Sequence, residues 1–205
     1  MKIISIDTSG KFCSVSISLH NNIKESINSK RPLSHSSELA VNVKEILDKH
    51  DLEVNDLDYI AVNVGPGSFT GLRIGVSFAK GLSLSGDVPL VPINAFDVLK
   101  NIINSSEEVF YGCIYSHKNY AYGIKCKNGS ISKPEIIDLN NNIDIPIYIS
   151  GLDSDNLYDN NIIKVNFNSI HLIDFGKRYF TSNYEYDLNS INPVYIDYLS
   201  ENEGN

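Results

Sequence analysis

Apolar and polar residues alternate with a period of two through Cys13, Val15, Ile17 and Leu19, which marks a half-buried strand over 13–20. Residues 2–7 (KIISID) form a preceding strand, and a short turn at 8–12 joins the two. A third strand over 22–30 follows an Asn21-Asn22 turn, and Arg31-Pro32-Leu33 then breaks the pattern. Ser34 or Ser36 is placed to cap a helix that runs to about Lys49. Within it Leu39, Val43, Ile46 and Leu47 share one face. Beyond a polar connection at 51–58, the run 59–64 (YIAVNV) reads as a buried strand. A helix over 69–85, a strand at 89–93 and a helix at about 94–103 complete a β-β-β-α-β-α-β-α order. That order predicts a mixed α/β domain with helices on its faces.

Residues 104–108 are polar and read as a boundary, so the expected lobes are 1–104 and 105–205. The second is predicted to hold strands at 109–116, 120–127, 134–139, 145–150 and 162–167, a helix at 169–181, and a polar tail from Glu201.

Composition narrows the function classes. Hydrophobic residues make up 42% of the 205 residues and charged residues 20%, as in globular chains. No apolar run is long enough to span a membrane, and the stretch before Asp7 is too short for a signal peptide. Cys13, Cys113 and Cys126 show no C-x-x-C spacing and read as buried thiols of a cytoplasmic protein. The net charge is −8, of which −1 falls in 1–105 and −7 in 106–205. Since nucleic-acid affinity comes mainly from Lys and Arg on phosphates, the second half is a poor RNA surface. A role on RNA would need a partner to grip it.

The segment Gly65-Pro66-Gly67-Ser68-Phe69-Thr70-Gly71-Leu72-Arg73-Ile74-Gly75 links a strand to a helix. Such a junction presents backbone N–H groups and a positive dipole end, which suit an anion. Asp7 and Thr8, at the end of the first strand, join Gly65, Gly67, Ser68 and Thr70 as a candidate nucleotide or anion loop. A tight strand-to-helix turn, with Asp7 in an Asx turn, accounts for the same residues without a ligand. No lysine follows the last glycine as in G-x-x-x-x-G-K-[ST], and Gly67-Ser68-Phe69-Thr70-Gly71 fails the G-x-S-x-G spacing. His20, His35, His50, His117 and His171 show no H-x-x-x-H pair, so no metal site is expected. Gly71, Gly75, Ala79 and Ser83 recur every four residues, a smooth stripe along one side of the helix. It lets either this chain's own sheet or a partner's helix approach closely.

Five stretches together resemble the TsaB (YeaZ) family: IDTSGKFCSVSI at 6–17, HSSEL at 35–39, GPGSFTGLRIGVSFAKGL at 65–82, PLVPINAFDVL at 89–99 and NPVYIDYL at 192–199. The resemblance runs through most of the first hundred residues and is patchy beyond them. Tyr115-Ser116-His117 stands where the family commonly carries Asp-Ala-Arg, and Asp197 where its ending carries arginine. The resemblance implies the two-lobed α/β fold of actin, sugar kinases and acetate kinase. It implies a non-catalytic subunit of the bacterial machinery that makes threonylcarbamoyladenosine beside the tRNA anticodon. The implied partners are the transferase TsaD, bound through the first lobe, and the ATPase TsaE, with tRNA reached only through the complex. A homodimer is a further expectation for the chain alone. No intrinsic cofactor is expected, and ATP or ADP would sit at the complex interface. The residues assigned to the partner interface are Ser36, Leu39, Val43, Gly71, Leu72, Gly75, Ala79 and Ser83. The rival reading is a small sugar-kinase-like or M22-peptidase-like enzyme acting alone through Asp7 and the glycine loop.

Overall fold

The computed structural model describes residues 1–19, 24–29, 31–103, 105–152, 161–181 and 187–196. His20, the Asn21-Asn22 turn, Asn104, Asp197 and the tail from Glu201 lie outside the described residues.

The first sheet is built of β1 (Ile3–Asp7), β2 (Ser14–Ser18), β3 (Lys24–Asn28), β4 (Tyr59–Gly65) and β5 (Leu90–Asn94), in the order β3-β2-β1-β4-β5. The pairs β1–β2 and β2–β3 are antiparallel, whereas β1–β4 and β4–β5 are parallel. Strands β1, β2 and β4 are buried throughout, because helices cover both faces. Helices α1 (His35–Asp48) and α2 (Phe69–Gly86) lie on one face, with Ile4, Val15, Ile17, Leu39, Ile46 and Val76 in the shared core.

The second sheet repeats this plan. It contains β6 (Val109–His117), β7 (Tyr120–Lys127), β9 (Glu135–Asp138), β10 (Ile147–Ser150) and β11 (Ile162–Lys164), with a two-residue strand β8 (Ser130–Ile131) added to β7. Counting its five main strands in chain order, the third pairs with the second, the second with the first, the first with the fourth and the fourth with the fifth. The pairing directions match those of the first sheet one for one. One α/β plan used twice matches the two-lobed actin and sugar-kinase-like fold that the family resemblance implies.

Helix α3 (Ala95–Ile102) bridges the lobes, with Ala95, Phe96 and Leu99 packed among Ile114, Ile124 and Cys126. Helix α4 (Ile170–Thr181) belongs to the second half of the chain yet packs on the first sheet. Its Leu172, Ile173 and Phe175 share a core with Ile3, Tyr59 and Ile93. A division by sheet therefore departs from a single cut at 104 once the chain has passed β11. Hydroxyl groups fix where α4 begins: Ser169 Oγ lies 2.7 Å from both Ser14 Oγ and Ser16 Oγ, and Ser5 Oγ donates to the Ser169 carbonyl at 2.7 Å. The polar connection at 51–58 contains a 3₁₀ turn at Val54–Asp56, and β8 follows β7 directly, neither of which was expected from the sequence.

Candidate functional site

The ends of β1 and β4 bring the two most distinctive segments together. Asp7 closes β1 with its side chain buried. Its Oδ1 accepts from the Ser9 backbone N–H at 3.0 Å and from Asn63 Nδ2 at 2.9 Å. Asn63 Nδ2 also donates to Ser9 Oγ at 2.9 Å, while its Oδ1 accepts from the Gly65 N–H at 2.9 Å. Burial raises the Asp7 pKa above its ordinary value, and the bonds from Ser9 and Asn63 offset this only in part. The buried His35 nearby is shifted below its ordinary value, again by burial first. Burial also pushes the Cys13 thiol up to about 12, so it stays protonated and is a poor nucleophile.

The glycine loop is engaged with its own chain. Ser68 N–H donates to the Ser9 carbonyl at 2.7 Å, and Ser68 Oγ caps α2 by accepting from the Gly71 N–H at 3.2 Å. A side chain at Gly67 would meet Ser9 Cβ at 2.6 Å and Ser9 O at 2.8 Å. Gly65 has φ of +112° and is closed over by the Val194 carbonyl and Leu72. The glycines are thus needed for close approach of three strands of chain. Of the candidate anion-loop residues, Asp7 and Ser68 line a cleft, Thr8, Gly65 and Gly67 are packed inside the chain, and Thr70 is exposed on α2.

The partner-interface assignment requires correction. Leu39, Val43, Gly71, Leu72, Gly75, Ala79 and Ser83 are all buried within this chain, and only Ser36 is exposed. The stripe on α2 faces the β1–β2 turn: Thr8 Oγ1 donates to the Gly71 carbonyl at 2.7 Å, and a side chain at Gly71 or Gly75 would overlap Thr8. The stripe's smoothness serves the fold of this chain.

Sequence reasoning missed a second series on α2, Ser77, Gly81 and Ser85, which is exposed. A side chain at Gly81 would meet open space. Leu84, three residues on along the same helix, is 71% exposed, and Val41 on α1 is 59% exposed. The spacing of four was legible, but it ran along both sides of the helix.

Between the lobes lies a cleft of about 790 Å³. Asp7, Gly10 and Phe12 border it from the first lobe, and Tyr115, Ser150 and Asn168 from the second half. Tyr115 and Ser116, which depart from the family pattern, thus border the cleft, whereas His117 is exposed at the end of β6. Among the described residues no group of three or more His, Cys, Asp or Glu side chains is arranged to hold a metal ion. No helix of the described residues is long and apolar enough to cross a membrane.

The family described as "TsaD: tRNA N6-adenosine threonylcarbamoyltransferase" matches residues 27–110. The chain is 36% identical over 94 residues to the tRNA threonylcarbamoyladenosine biosynthesis protein TsaB of Haemophilus influenzae, a stretch covering 46% of this chain and 39% of that protein. It is 30% identical over 125 residues to the TsaB of Buchnera aphidicola subsp. Acyrthosiphon pisum, covering 60% and 56%. The matched stretch thus spans about half of these relatives' length or less. The solved structure of YeaZ from Pseudomonas aeruginosa superposes with a TM-score of 0.72 at 18% identity, covering 95% of this chain and 99% of that one, so the fold is shared end to end.

Proposed function

We propose that this chain, a member of the TsaB (YeaZ) family, is a non-catalytic scaffold in the formation of threonylcarbamoyladenosine on tRNA. It binds and activates a TsaD-type transferase, and the pair recruits a TsaE-type ATPase in the cytoplasm. A single observation carries the reading: the chain matches proteins named for this biosynthesis, at 36% identity over 94 residues and at 30% over 125. An exposed glycine inside a helix costs about 1 kcal/mol relative to alanine, a cost that close approach of a partner offsets. Gly81 is such a glycine, and the exposed Leu84, three residues on, supplies apolar area beside it. Chemistry by this chain alone has little support. Its buried carboxyl at Asp7 is tied to Ser9 and Asn63, and its thiols are held protonated by burial. ATP or ADP would enter at the interface with the transferase.

The test is size-exclusion chromatography with light scattering on the chain mixed with its cognate transferase. A heterodimer is expected for the wild type, and Gly81→Leu is expected to abolish it without lowering the melting temperature. Two proteins that elute separately would sink the proposal.

A further inference from the structure

Two of the family-like segments, 65–82 and 192–199, meet at a small exposed cluster that the packing of α2 does not use. The guanidinium of Arg73 stacks on the Phe69 ring, with Cζ 3.7 Å from the ring centroid. Arg73 Nε donates to Tyr195 Oη at 3.0 Å, and the rings of Phe69 and Tyr195 lie 4.9 Å apart. Tyr195 is held in place by its neighbour, since the Val194 N–H donates to the Val64 carbonyl at 2.6 Å. The cluster is nevertheless open to solvent: Phe69 is 54% and Tyr195 39% exposed, and Arg73 is exposed as well. Among the described residues no carboxylate lies within ion-pair distance of Arg73.

We propose that Phe69, Arg73 and Tyr195 form a docking site for the carboxylate of an Asp or Glu side chain on the surface of the transferase partner. Three features point to that occupant. Stacking and the Tyr195 bond through Nε hold the guanidinium of this exposed side chain, and its paired terminal N–H groups form a fork that fits a carboxylate. Aromatic rings with an arginine are the composition of interface residues that dominate binding energy. Charge separates the candidate partners. A second copy would bring another net −8, and RNA would bring its phosphate backbone toward a chain that is itself of net −8. A lone carboxylate on a protein surface meets neither obstacle.

This inference rests on the proposed scaffold role and is tested by calorimetric titration of the cognate transferase. Arg73→Ala is expected to weaken binding at least about tenfold, as for a central interface residue. Arg73→Lys should restore little of it, because an ammonium lacks the fork and the stack. Tyr195→Phe keeps the ring and removes only the acceptor, so it should give an intermediate loss. Added salt should weaken the wild type more than Arg73→Ala. Unchanged melting temperatures would show that the variants fold. If Arg73→Ala binds as tightly as the wild type while Gly81→Leu does not bind, the docking site is refuted and the scaffold role stands. If Arg73→Ala alters only self-association of the chain, the site belongs to a second copy and the proposal is overturned. If the wild type does not bind at all, both readings fall.

Discussion

Asp7 is a carboxyl group placed where ionisation is costly. Its folded pKa lies above the ordinary value of 3.8 because burial outweighs the bonds from Ser9 and Asn63. As pH rises between those two values, the unfolded chain has lost a proton that the folded chain keeps. Stability therefore falls with rising pH in that window, and the deficit persists above it. Asp7→Asn removes the ionisation and leaves a carbonyl oxygen able to accept both bonds. The variant is expected to match or exceed the wild type at neutral pH in urea unfolding, with the difference vanishing below the ordinary carboxylate value. His35 contributes the opposite slope, with stability lost as pH falls through 6.5, and both chains carry it. A stability difference between variant and wild type that is independent of pH would show that Asp7 does not bear this cost.

Helix α2 holds the sharpest lesson about elements. Small residues recur every four positions along two of its sides, Gly71-Gly75-Ala79-Ser83 and Ser77-Gly81-Ser85. Periodicity located the helix but left its rotation open. Leu72 and Val76 beside the first series and Arg73 beside the second carried the missing signal. Gly75→Ala should consequently destabilise the isolated chain, because overpacking against Thr8, worth about 1–3 kcal/mol, exceeds the gain in helix propensity of about 1 kcal/mol. Gly81→Leu should stabilise the isolated chain slightly, since only the propensity term remains. Chemical denaturation of the two variants decides this, and the reverse ranking would mean that the helix is rotated. Helix α4 makes a comparable case. Ser169→Ala removes the hydroxyl partner of the buried Ser14 and Ser16, leaving Ser14 Oγ only the Ser169 N–H at 3.3 Å, with an expected loss of about 1–3 kcal/mol by the same measurement. No loss would show that the two hydroxyls satisfy each other.

At the scale of the whole molecule, strand positions were legible because alternation and apolar runs fix them locally. The third strand through β4, and the paired strands β6 and β7, fell close to their expected places. Contacts between distant residues were not legible. Nothing local marks Ser169 as the partner of Ser14, or the return of α4 to the first sheet. The cleft was half visible, since Asp7 and Ser68 were candidates while Tyr115 and Ser150 come from strands that had no assigned role there. The proposed function is that of a subunit that acts through a partner. The most direct measurement is threonylcarbamoyladenosine formation on purified tRNA by the cognate transferase, ATPase and adenylate-supplying enzyme, with this chain present or omitted. Full modification is expected with the chain, near-background modification without it, and near-background modification with Gly81→Leu. Equal modification in its absence would contradict the scaffold role.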